Sequence, residues 1–246
     1  MRRFALVVAI VAGLAAATAS SALANHSWGN YHWARAANPF TVPLGDSVSN
    51  TAYSNWDGAL SGASADWTSS SVLDAPIVAG GGGNVRNCRG TDGRIRVCNA
   101  TYGNNGWLGL AQIWLSGSHI VRGTAKMNDT YFNSTSYSYT NERHVMCQEV
   151  GHGFGLDHQD TSGADLNTCM DYSNALDNPS PNAHDYEQLQ TIYGSHVDAG
   201  AGPSFAPGRS EPVKVTRTDT ISTSEFVSYY GNGYQVHTLI VWALGS

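Results

Sequence analysis

Charge is scarce in this chain and leans acidic, with 13 Lys and Arg against 19 Asp and Glu and a formal net charge of −6. That balance argues against a nucleic-acid or anionic-membrane partner. Beyond the first residues no apolar stretch approaches the roughly 18 to 20 residues that a bilayer span requires, and even Leu239 to Leu244 is only strand-length. The four cysteines contain no C-x-x-C pair, which ranks a structural zinc knuckle below disulfides. The glycine run Gly80-Gly81-Gly82-Gly83-Asn84 lacks the following Gly-Lys-Ser/Thr of a phosphate cradle, so its reading is conformational. No internal repeat is present.

The chain opens with Met1-Arg2-Arg3, an uncharged run from Phe4 to Leu14, and a small-residue stretch ending Ala22-Leu23-Ala24. This is the pattern of a signal peptide cleaved after Ala24, and it predicts a secreted, extracellular protein. Removal of Arg2 and Arg3 makes the mature chain more acidic still. In an exported chain four cysteines favour two disulfides, whose pairing the sequence alone leaves open. Local spacing selects Cys88 with Cys98 and Cys147 with Cys169. Sparse charge with abundant Gly, Trp and Tyr suits one rigid globule with a sizeable core, expected to be a monomer.

Phe40, Val42 and Leu44 alternate as a strand ending at Gly45-Asp46. A helix is predicted from the stripe Val48, Ala52, Trp56, Leu60, Ala63 and Trp67. Val72 to Ala79, Arg94 to Asn99 and Leu108 to Leu115 read as strands, and His119 to Asn128 closes a hairpin over Ser116-Gly117-Ser118. The period turns helical from Asn141 to Phe154. A further helix opens at the Asn182/Asp185 cap pair and runs to Tyr193. Strands followed by segregated helices place the fold in the α+β class. The expected organisation is a leader over 1–24, a main domain over 25–196, and a linker with a C-terminal hairpin over 197–246 that docks on the main domain. The linker is Ala199 to Pro203 with Pro207-Gly208, and the hairpin joins Glu225–Tyr230 to Tyr234–Trp242 across Gly231-Asn232-Gly233.

Chemistry concentrates in Gln148-Glu149-Val150-Gly151-His152-Gly153-Phe154-Gly155-Leu156-Asp157-His158. On a helix, residues 148 and 152 share one face one turn apart, so both can reach one ion while Glu149 stands beside them. Gly155 can take the left-handed conformation that stops the helix and returns His158 to the same point. His144 lies two turns from His152, about 12 Å of rise, which only fully stretched side chains would bridge. Gln148, through its side-chain carbonyl oxygen, is the better third donor.

Glu149, His152, Gly155 and His158 resemble the H-E-x-x-H-x-x-G-x-x-H signature of the metzincin zinc proteases, here matrixin- or adamalysin-like in a secreted bacterial form. Gln148 stands where the family carries its first zinc-binding histidine. Asn167-Thr168-Cys169-Met170-Asp171-Tyr172 resembles the family's Met-turn, and a tyrosine at the offset of Tyr172 assists zinc or the oxyanion in the astacin and serralysin branches. The order of elements from Phe40 to Tyr193 also looks like the metzincin catalytic domain. The resemblance implies a twisted, mostly parallel sheet with an active-site helix. It implies Zn2+ held by Gln148, His152 and His158, Glu149 as general base, Tyr172 as auxiliary, and Gly155 and Met170 as support. The implied function is a secreted zinc endopeptidase acting on polypeptides. The alternative is a non-proteolytic protein on the same scaffold with weak or absent zinc, and a third reading, a glycan binder, rests on aromatic content alone. No cysteine between Asn25 and Pro39 is available to cap a metal.

Overall fold

The computed structural model describes residues 26–172, 175–198, 215–230 and 234–243. The expected leader, the glycine-rich linker and the Gly231–Gly233 turn lie outside them. In chain order the elements are β1 (His32–Trp33), β2 (Phe40–Thr41), β3 (Leu44–Ser47), α1 (Trp56–Thr68), β4 (Leu73–Asp74), β5 (Ile77–Ala79), β6 (Ile95–Ala100), β7 (Trp107–Ser116) and β8 (His119–Asn128). They continue with α2 (Asp129–Phe132), α3 (Tyr139–Gly153), α4 (Ala183–Tyr193), β9 (Val215–Thr220), β10 (Glu225–Tyr230) and β11 (Gln235–Trp242). The chain is thus a mixed architecture, mainly sheet with few helices.

A nine-stranded sheet runs β5-β3-β6-β8-β7-β11-β10-β9, with β1 beside β8. The expectation of a mostly parallel sheet is corrected. From β5 to β8 the pairings are parallel, and from β8 through β7 to β9 every pairing is antiparallel. The antiparallel half exists because β11 pairs with β7 along nearly its full length, from Gln235 opposite Leu115 to Trp242 opposite Trp107. The C-terminal strands therefore continue the main sheet, and β9 adds a strand that the sequence reading had not anticipated.

Two predicted strands divide at prolines. Phe40–Leu44 splits around Pro43 and Val72–Ala79 around Pro76, since neither proline has an N–H to donate to a ladder. Their carbonyls still serve the sheet, Pro43 accepting from Ile95 N at 3.0 Å and Pro76 from Leu44 N at 2.8 Å. The first helix begins at Trp56, not Val48. Asn55 caps it by accepting from Gly58 N, and the Thr51 hydroxyl accepts from Tyr53 N and Ser54 N, so polar side chains hold 51–54 in a turn.

Helix α3 carries Gln148, Glu149 and His152 and is fixed from several sides. Ser138 and Asn141 form a capping box at its start. Helix α1 lies along it, with Trp67 Nε1 donating to Cys147 O at 3.1 Å and Arg143 paired with Asp66 at 2.8 Å. Apolar side chains of both helices, including Trp56, Trp67, Val145, Met146 and Val150, are buried in one core with Ile95, Val97 and Leu108 of the sheet. Two disulfides, Cys88–Cys98 and Cys147–Cys169, are present, the second tying α3 to the segment around Met170. Its closure of a 22-residue separation contributes about 3 kcal/mol on loop-entropy grounds. No helix among the described residues is long and apolar enough to cross a membrane. Two disulfides are the pattern of an oxidising compartment.

Helix α3 stops at Gly155, whose φ is +89°. Its N–H donates to His152 O at 3.0 Å, its carbonyl accepts from Trp28 N at 2.8 Å, and a Cβ there would stand 2.4 Å from Tyr31 O. Only glycine satisfies both the backbone angle and the close approach. Gly155→Ala is expected to destabilise the fold by at least about 1–3 kcal/mol, measured by chemical denaturation, because the chain reversal after α3 would have to shift. Native stability in that variant would show that the reversal tolerates a side chain.

Candidate metal and catalytic site

The last turns of α3 present Gln148, Glu149 and His152 to the interior, all with 1% or less of their surface exposed. After Gly155 the chain doubles back. Leu156 bridges to Ser27, Asp157 N donates to His26 O at 2.6 Å, and Gln159 N donates to Met170 O at 2.6 Å. This course returns His158 to the helix, its ring centroid 4.7 Å from that of His152.

Gln148, His152 and His158 each turn one polar end to the protein and leave another unused. The Gln148 amide nitrogen donates to Asp171 O at 2.7 Å, which turns Oε1 away, buried and without a hydrogen-bond partner. His152 Nδ1 donates to Leu156 O at 2.9 Å, fixing the tautomer with a lone pair on Nε2. That Nε2 is likewise buried and unpartnered, as is Nε2 of His158, whose Nδ1 lies 3.5 Å from Asp157 Oδ1. Burial, then the neighbouring His158, holds the His152 imidazole well below its ordinary pKa, so it is a neutral donor at physiological pH. The Glu149 carboxylate makes no hydrogen bond with either oxygen, and burial pushes its pKa well above the usual carboxylate range.

Neighbouring residues shape the site. Met170 lies directly against α3, since a Cβ on Gly151 would stand 2.5 Å from its Sδ. Glu149 lies against β7, where a Cβ on Gly109 would collide with its Oε1 at 2.2 Å. Tyr172 sets its ring 4.8 Å from that of His158. His144 donates its Nδ1 proton to Asn178 O at 2.9 Å, anchoring the loop after the Met170 turn.

The sequence reading missed the other wall. The Tyr172 hydroxyl is hydrogen-bonded to Ser224 Oγ, and Ser224 also accepts from Trp242 Nε1 at 3.1 Å. Trp28 packs edge-on against His152, with centroids 5.9 Å apart, and donates its indole N–H to Glu225 at 2.8 Å. His237 of β11 meets Trp28 and Tyr31 edge-to-face. Ser224, Glu225, His237 and Trp242 belong to no local motif, because they meet the site only through the long-range pairing of β11 with β7.

Two imidazole nitrogens and an amide oxygen, all buried without a hydrogen-bond partner, suit a cation. The set fits zinc with one weak ligand and an open position for water. The Leu156 carbonyl and Asp157 hold the rings of His152 and His158, the kind of outer contact that would orient them toward an ion.

No family model and no curated protein matches this chain. Among solved structures, myroilysin aligns with a TM-score of 0.41 and 14% identity, covering 70% of this chain and 100% of its own. High choriolytic enzyme 1, a hatching-enzyme zinc-protease from Oryzias latipes, aligns with a TM-score of 0.35 and 12% identity over 66% of this chain and 94% of its own. Likenesses this distant do not establish a family, and the functional reading rests on the site.

Proposed function

We propose that this protein is a metzincin-type zinc endopeptidase that acts on polypeptides outside the cell. The observation that carries the reading is the joint burial of Gln148 Oε1, His152 Nε2 and His158 Nε2, all lacking hydrogen-bond partners, beside a Glu149 carboxylate that also lacks one. When bound there, zinc supplies Lewis acidity that acidifies water and polarises a scissile carbonyl. Glu149 takes the water's proton on a carboxylate oxygen and delivers it to the departing amine. Tyr172, its hydroxyl freed from Ser224, donates to the developing oxyanion.

Glu149→Gln is expected to keep bound zinc while lowering casein cleavage by about 10²–10⁴-fold, with the native activity abolished by a chelator. Chelator-insensitive cleavage, or undiminished turnover in the variant, would overturn the assignment.

One structural fact sets a condition on this activity. Strand β11 occupies the edge of β7, and Ser224 and Glu225 hold Tyr172 and Trp28, so an extended peptide cannot add to that edge or reach Glu149 while the C-terminal strands are seated. The seated form is a latent one. Removing its polar holds by Ser224→Ala or Glu225→Ala should raise the initial rate of casein cleavage about fivefold for each hydrogen bond worth about 1 kcal/mol. Unchanged or slower cleavage in folded variants would mean that the C-terminal strands are a fixed part of the enzyme. The same closure favours a second reading, a non-proteolytic protein on this scaffold. That reading requires inactivity in native and released forms alike.

A further inference from the structure

We infer that the chain carries a second, structural zinc site, built from His32, His119, His196 and Asp198 and sharing no residue with the Glu149 site. His32 on β1 and His119 at the start of β8 are register partners in a parallel pairing, which sets both imidazoles at one end of the sheet. The segment leaving α4 brings His196 and Asp198 to the same place. Oδ1 of Asp198 lies 3.1 Å from His119 Nε2, 3.6 Å from His32 Nε2 and 3.9 Å from His196 Nε2. Ligand atoms of His32, His119 and Asp198 all fall within 4.8 Å of one another. Two donors on a tetrahedral zinc stand about 3.3 Å apart, so His32, His119 and Asp198 close on an ion through side-chain shifts of up to about 1.5 Å, and the half-exposed His196 side chain swings in to join them.

The orientation of the donors is an independent observation. His32 Nδ1 donates to Asn30 O at 2.8 Å, which leaves the lone pair on Nε2. That Nε2 is buried, has no hydrogen-bond partner, and faces a carboxylate oxygen. A lone pair turned toward a carboxylate oxygen is unfavourable unless a proton or a metal cation stands between them, and three imidazoles around one carboxylate oxygen favour the metal. Asp198 is held for the task, since its Oδ2 accepts from Arg35 N at 3.0 Å and lies 3.5 Å from Arg35 Nη1, and this leaves Oδ1 for the imidazoles. The His119 and His196 side chains are 41% and 45% exposed, so an ion can enter from solvent.

Three imidazoles and one carboxylate complete a tetrahedral set with no position left for substrate, which makes the site structural and matches zinc among common divalent ions. Its consequence is mechanical. It clamps the strand leading from Trp28, the β7–β8 turn, and the point from which the chain departs toward the C-terminal strands.

The test is zinc binding by equilibrium dialysis and calorimetry on the full mature chain. His119→Gln, a substitution near the surface, should lower the stoichiometry by one zinc relative to the native chain, whether the native value is one or two. In a His152→Ala/His158→Ala background one zinc should remain, and adding His32→Ala with His119→Ala should weaken it at least a hundredfold while circular dichroism stays native. Failure of the Glu149 reading would appear as a native chain that binds one zinc, retained in the His152→Ala/His158→Ala chain and lost in His119→Gln. Unchanged stoichiometry in His119→Gln would overturn the inference, as would a folded His152→Ala/His158→Ala chain that binds no zinc.

Discussion

Buried lone pairs without donors are the constraint on which the rest of this structure depends. Gln148 Oε1, both oxygens of Glu149, and Nε2 of His152 and His158 are removed from water and face no protein donor. An unsatisfied buried polar atom costs about 1–3 kcal/mol. Several together weigh on the scale of a domain's whole folding free energy, about 5–15 kcal/mol. A divalent cation would satisfy Gln148, His152 and His158 together, and its binding energy would become folding energy. Much of the surroundings serves to hold those atoms converged: the stop at Gly155, the tether from Cys147 to Cys169, and the outward hydrogen bonds of Gln148 and His152.

The same burial explains the importance of the C-terminal strands. A site with 7% or less of each donor residue exposed is covered, and part of the cover is Trp28 held by Glu225 and Tyr172 held by Ser224. Strand β11 hydrogen-bonds along the edge of β7, the strand against which Glu149 lies. Sheet completion and closure of the site are therefore one event. The cluster of His32, His119 and Asp198 lies at the other end of β8, where β1 pairs with it and the segment after α4 meets it.

Much of α3 was legible because its signals are local. The one-turn spacing of Gln148 and His152, the adjacent Glu149 and the glycine at 155 are read from a dozen residues, and the structure brings those side chains together. Strands β7 and β8 were legible for the same reason, with alternation on either side of a tight turn. Polar residues defeated the apolar stripe at Val48 and Ala52, where the turn held by Thr51 and the cap at Asn55 outweigh periodicity. The parallel character of the sheet was misjudged because the decisive pairing, β7 with β11, joins residues far apart in sequence. No local pattern marks Trp28, Ser224, Glu225 and His237 as neighbours of His152 and Tyr172, and the same holds for His32, His119 and Asp198. Such sites become visible only after strand register is known.

The central claim is that Gln148 serves as a metal ligand through Oε1, and zinc affinity of Gln148 variants tests it most directly. Competitive chelator titration of the mature chain, with His119→Gln present to silence the second site, should show zinc binding at least tenfold weaker in Gln148→Ala and tighter in Gln148→His than in the native protein. Equal affinity in all three forms, each folded by circular dichroism, would contradict the account, because the buried amide oxygen would then be idle and the metal would have to find its third donor elsewhere.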